Sequence, residues 1–308
     1  MIEASELPIG RLALLETEEY AALLQEFARE IRITQIISPN AFADMDIAFF
    51  ACSPEIMNAY ASSGAAFPEL TIDLTQTRRP GALFLSGVSD SGILRNSGYF
   101  INPHPAAIVL ARVLWRLHQS FGIQSASVTI LQPASERGLA GVDELQEQTV
   151  ELLNFQQVRS RVFEGQLAFN ILPELETSER QEGLIRDQIA TILGGAPPPP
   201  AIVSVQAPVF HSHSFSIFVS LLASPSLEEI RRCFDQERTA FGVYESSKES
   251  PSPVSVVGND KIHVGRVSAD PNRPGVYSLW LVADNLRVAA ANALQTAESI
   301  MFAPATQS

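Results

Sequence analysis

Apolar and polar positions alternate along the chain in short blocks that read as strands and amphipathic helices in turn. Residues 11–16 predict a short strand. Residues 17–31 carry Tyr20, Leu23, Leu24 and Phe27 at helical spacing and predict a helix. A near-continuous apolar run at 47–52 predicts a parallel strand covered on both faces. Residues 54–63 then predict a helix stopped by Gly64, and 70–74 a further strand. This order predicts an α/β fold of the doubly wound, Rossmann-like class.

The second half keeps the alternation but with longer elements. Residues 124–132 are β-rich, and 141–154 are helical with Leu145 and Leu152 inward. Residues 180–193 predict another helix, closed by Gly194 and Gly195. Ala196 and the four prolines after it predict a stiff connector. Residues 202–209 and 214–222 predict long strands, 246–253 a loop rich in Ser, Pro and charge, and 283–301 an alanine-rich helix.

Composition narrows the setting. The chain has 308 residues, 46% of them hydrophobic, enough for one or two domains with cores of their own. No apolar run approaches the roughly 20 residues that span a bilayer, and residues 1–6 lack the basic start of a signal peptide. These features predict a cytoplasmic protein. Two cysteines, Cys52 and Cys233, are too few for a disulfide framework and read as buried thiols. The net charge of −13 argues against nucleic acid or an anionic membrane as partner.

Candidate chemistry centres on Asn102-Pro103-His104-Pro105, a turn that opens an apolar helix. Helix N-terminal amides stabilise negative charge and would lower the pKa of a thiol placed there. Pro105 has neither a nucleophilic atom nor a backbone N–H. His211 and His213 lie two apart, and on a strand they would share a face. Without a third ligand the pair predicts no metal site. A dinucleotide site needs a glycine-rich turn between a first strand and helix, and the first forty residues contain Gly10 alone. Residues 1–6 read as the tail of a missing helix. Two explanations stand: a start placed too far downstream, or a lost phosphate loop.

Several strings occur in a shared order: Asp46-Ile47-Ala48-Phe49-Phe50, Gln166 through Pro173, Val205-Gln206-Ala207-Pro208-Val209-Phe210, and Ala283-Asp284-Asn285-Leu286-Arg287. In this the chain resembles aspartate-semialdehyde dehydrogenases, and more closely their Usg-type paralogues, which lack the catalytic cysteine. The resemblance implies that Pro105 stands where the enzymes keep their nucleophile and His213 where they keep the general base. It places Gln132 at the glutamine that orients the reacting groups. Gln206 falls where a substrate-clamping arginine stands, and Arg79 at a retained basic residue. Leu184, in the helix opened by Glu182, replaces a further basic residue, and Glu182 belongs to the same vestigial substrate region. Asn285 falls at a cofactor-binding position.

The resemblance also implies an architecture. Residues 1–103 would form the NAD(P)-binding-type domain, lacking its first βα unit and completed by a returning helix at 284–302. Residues 104–283 would form an α+β dimerisation and substrate domain with a mixed antiparallel sheet. With the nucleophile, the clamping arginine, a phosphate-site basic residue and the glycine loop all absent, the chain reads as a non-catalytic homologue. It would be a homodimer, or a heterodimer with an active relative, with no cofactor. The alternatives are an NADP-dependent dehydrogenase with a degenerate site, given an upstream phosphate loop, and a small-ligand sensor.

Overall fold

A computed structural model describes all residues except 19–23, 28–29, 78, 174, 245–248 and 303–308. The chain forms two compact units, Met1–His104 with Ala289–Ser308, and Pro105–Val288.

The first unit is built on a parallel sheet. Its strands are β5 (Ile47–Phe50), β6 (Leu70–Asp73), β7 (Ala82–Leu83) and β8 (Tyr99–Ile101), in the order β5-β6-β8-β7. Helix α1 (Pro54–Ser62) joins the first two. Ser53 caps it by accepting from the Ile56 N–H, Pro54 fills its first turn, and Met57 and Tyr60 face inward. Two further strands, β1 (Leu15–Glu16) and β4 (Gln35–Ile36), pair in parallel.

Between them, where the predicted helix over 17–31 is described at 24–27 and 30–31, the chain is strand instead. Residues 19–23 and 28–29 lie outside the described residues, and β2 (Leu24–Phe27) pairs antiparallel with β3 (Glu30–Ile33). The physical reason lies in Ile31-Arg32-Ile33-Thr34, a β-branched alternation whose ladder with 24–27 overrides the helical spacing of the leucines. The predicted strand at 11–16 shortens to its last two residues.

The second unit carries the larger sheet. Its elements are α2 (Pro105–Phe121), β9 (Ile123–Gln132), α3 (Gly138–Leu153), α4 (Leu175–Ile192), β10 (Ala201–Gln206) and β11 (His213–Leu221). After these come α5 (Leu227–Asp235), β12 (Phe241–Val243), α6 (Pro253–Val256), β13 (Ile262–Ala269), β14 (Val276–Ala283) and α7 (Asn285–Met301). The sheet order is β10-β9-β11-β14-β13-β12, antiparallel in its middle and parallel at both edges. The predicted strand at 202–209 ends at Gln206, because Pro208 has no N–H to continue a ladder. Helix α7 starts in this unit and continues into the first.

One face of this sheet is covered and the other is not. Val128, Ile130, Phe215, Ile217 and Val219 point inward and are buried, while Ser125, Ser127, Thr129, Val203 and Phe218 alternate with them and are exposed. Helix α2 has nine buried residues; its first two turns are apolar all round, as a helix laid into a core must be, and Arg112, Arg116 and Gln119 form a polar stripe beyond them.

Candidate functional site

The site is a row of polar side chains at one end of the second unit's sheet, on its covered face. Gln132 ends β9, Gln206 ends β10 directly opposite it, and His213 begins β11 on the other side. Each is about 1% exposed. The strands deliver them together because β9 and β10 run parallel and β11 runs back antiparallel.

Hydrogen bonds join the row to residues that the sequence did not single out. Gln132 Nε2 donates to Gln181 Oε1 at 2.8 Å, and Gln181 Nε2 donates to Glu136 Oε1 at 3.0 Å. The other carboxylate oxygen of Glu136 stands 3.2 Å from His213 Nε2, an ion-pair distance without ideal hydrogen-bond alignment. A continuous chain thus runs Gln132–Gln181–Glu136–His213. Gln206 Nε2 donates to the Gln132 carbonyl at 2.9 Å. Its own Oε1 has no hydrogen-bond partner among the described residues.

Two local devices hold the chain in place. Glu136 sits on a 3-10 turn, Ala134–Arg137, directly after β9. Ala134 and Ser135 N–H groups donate to the Val209 and Phe210 carbonyls at 2.7 and 2.9 Å, which ties this turn to the segment entering His213. Gly141 lets α3 approach closely, since a Cβ there would lie 2.4 Å from the Ala134 carbonyl oxygen. On the histidine side, Ser212 has φ of +76°, a conformation that costs a non-glycine residue about 1–3 kcal/mol. Asn285 stabilises it: its Oδ1 accepts from the Ser212 N–H at 3.1 Å while its Nδ2 donates to Ser135 Oγ at 3.1 Å.

The other expected residues fall as follows. Pro105 is the first residue of α2, where a proline is well suited because that N–H is unpaired in any helix. Glu182 Oε1 accepts from the Ser204 N–H of the outer strand β10 at 2.6 Å, so one carboxylate oxygen serves the backbone. Leu184 is half-buried. His211 corrects the strand expectation: β11 begins only at His213, and the left-handed Ser212 breaks the alternation that would align the two histidines. Among the described residues no three His, Cys, Asp or Glu side chains gather as metal ligands.

Arg79 and His104 belong to the first unit. The Arg79 guanidinium lies over the rings of Phe67 and Tyr99, 5.3 and 5.9 Å from their centroids. Tyr99 donates to Asp73 Oδ2 at 2.7 Å, and burial, then that carboxylate, pushes its phenol upward. Asn102 is fully used: its N–H donates to the Asp73 carbonyl, its Nδ2 to the Ala289 carbonyl, and its Oδ1 accepts from Asn292 Nδ2 at 2.8 Å. His104 is buried beside it.

The family model for the semialdehyde dehydrogenase dimerisation domain matches residues 114–288. The chain belongs to the semialdehyde dehydrogenase family. A USG-1 protein homologue of Pseudomonas aeruginosa is 29% identical over 302 residues, covering 94% of this chain and 89% of its own length. The crystal structure of Vibrio cholerae aspartate semialdehyde dehydrogenase II complexed with ASA has a TM-score of 0.87 at 26% identity, covering 97% and 92% of the two chains. The Candida albicans enzyme, solved with NADP, has a TM-score of 0.66 at 15% identity over 96% and 92%, and shows the fold alone. The α/β fold with a parallel sheet and a mixed sheet is therefore that of this family. No described helix is long and apolar enough to cross a membrane.

Proposed function

We propose that this semialdehyde dehydrogenase homologue is non-catalytic, a dimeric binding protein that keeps the polar cleft of its family without the nucleophile. Pro105 carries the proposal. Attack on an aldehyde needs a lone pair on sulfur, oxygen or nitrogen, and the first side chain of α2 has none. The two thiols of the chain lie elsewhere in sequence, and burial pushes both upward, Cys233 to about 11. Gln206 offers an amide where the resemblance expects a charged bidentate fork. The binding reading expects no cofactor, and the commitment of the Asn285 amide to Ser135 and Ser212 supports that expectation. The sheet face bearing Val203 and Phe218 is the surface through which two copies would pair.

The second reading is an NADP-dependent dehydrogenase with a degenerate site. Its support is the chain Gln132–Gln181–Glu136–His213, which retains a histidine poised beside a carboxylate for proton movement. An assay of phosphate-dependent NADP reduction with aspartate semialdehyde separates the two. The binding reading expects no turnover. Robust turnover that is lost on mutating His104 or His213 would overturn it. Pro105→Cys alone should stay inactive, and pairing it with Gln206→Arg should give the first measurable rate.

A further inference from the structure

The amide of Gln206 makes a demand that the protein does not meet. Its side chain is about 1% exposed, and Oε1 has no hydrogen-bond partner among the described residues. A buried acceptor left without a donor costs about 1–3 kcal/mol. Two residues earlier on the same inward face of β10, Ser204 is 2% exposed and its Oγ likewise has no hydrogen-bond partner among the described residues. Among the described residues the donor side of Gln206 is half used, since Nε2 gives one hydrogen to the Gln132 carbonyl and carries a second.

The electrostatics of the row point to what fits. None of Ser204, Gln206, Gln132 and His213 is a lysine or arginine. Carboxylates stand at both ends: Glu182 contacts Ser204 at 2.6 Å, and Glu136 stands 3.2 Å from His213. An anion brought here would meet acidic flanks and no lysine or arginine within the row. A primary carboxamide presents one N–H donor and one carbonyl acceptor side by side. It complements a free Oε1 and a spare Nε2 hydrogen in a paired amide–amide contact.

We propose that the Gln206 end of this row is a binding subsite for a small neutral primary carboxamide, and that it disfavours carboxylates and acyl phosphates. The proposal rests on reading the chain as a binding protein. The two are separable: turnover in the dehydrogenase assay refutes that reading whatever amides do, while no turnover together with no amide binding refutes this proposal alone.

Succinamide and succinate share a carbon skeleton and differ in charge, so they serve as probes, titrated into the full chain by calorimetry and ligand-observed NMR. The wild-type protein should bind succinamide at least tenfold more tightly than succinate. Gln206→Leu should cut succinamide affinity about tenfold or more, the equivalent of one well-made hydrogen bond. Gln206→Arg should reverse the order of the two ligands, which guards against a variant that has merely lost its fold. Tighter succinate binding by the wild type, binding of neither probe, or unchanged succinamide affinity in Gln206→Leu would each overturn the proposal.

Discussion

At the scale of single residues, the site is defined by which atoms are reactive and which are held. Cys233 is 5% exposed on α5, and burial raises its thiol to about 11 against a small opposing pull from Arg116. At pH 7.5 that leaves roughly a hundredfold less thiolate than in an unfolded chain. Labelling with an aromatic disulfide reagent should accordingly run about a hundredfold slower at Cys233 in the folded protein than in urea. Fast native labelling would show an activated thiol that the geometry does not provide. The residues of the row differ in how legible they were. Gln132, Gln206 and His213 stood out because they end or begin strands at positions with a chemical precedent. Glu136 and Gln181 did not, because their roles depend on a turn and a helix face arriving together from residues 45 positions apart. The acidic residue in the turn just after β9 was the one available hint.

At the scale of elements, buried polar side chains decide where loops go. Glu144 on α3 accepts N–H bonds from Arg161, Val162 and Phe163 at 2.8, 2.7 and 3.2 Å, and Gln148, one turn on, accepts from Leu167 and Ala168. Together they shape the irregular segment between α3 and α4. Glu144→Ala would strand three backbone donors, so denaturant titration should register a loss of about 2–4 kcal/mol, with Glu144→Gln losing less. Asp284 acts similarly at the start of α7, accepting from Leu286, Arg287 and Gly258. The strongly periodic elements, such as α3 and β9, were legible within a few residues. The span at 17–31 was not, because the antiparallel pairing of Leu24–Phe27 with Glu30–Ile33 outweighs helix spacing, and the alternation at 31–33 is too short a mark to compete with the leucines on sequence alone.

At the scale of the whole molecule, titration and assembly are the measurable properties. His263 on β13 is buried, and burial, then the charge of Lys261, holds its imidazole below the usual 6.5. Above about 6.5 the group is neutral in both states and costs nothing. As pH falls below that value the unfolded chain takes up a proton that folded His263 resists, so stability declines. The urea midpoint should drop between pH 7.5 and 5.5, and His263→Gln should flatten that drop. For assembly, light scattering should report twice the chain mass, and Phe218→Asp on the exposed sheet face should reduce it to one. A monomeric wild type would refute pairing through that face. The proline at the head of α2 acts at a further level, as a genetic ratchet. Proline and cysteine codons differ in both of their leading letters, so no single base change restores the thiol. The shortest route from Pro105 to cysteine passes through serine or arginine, and either must first be tolerated at the mouth of a buried helix.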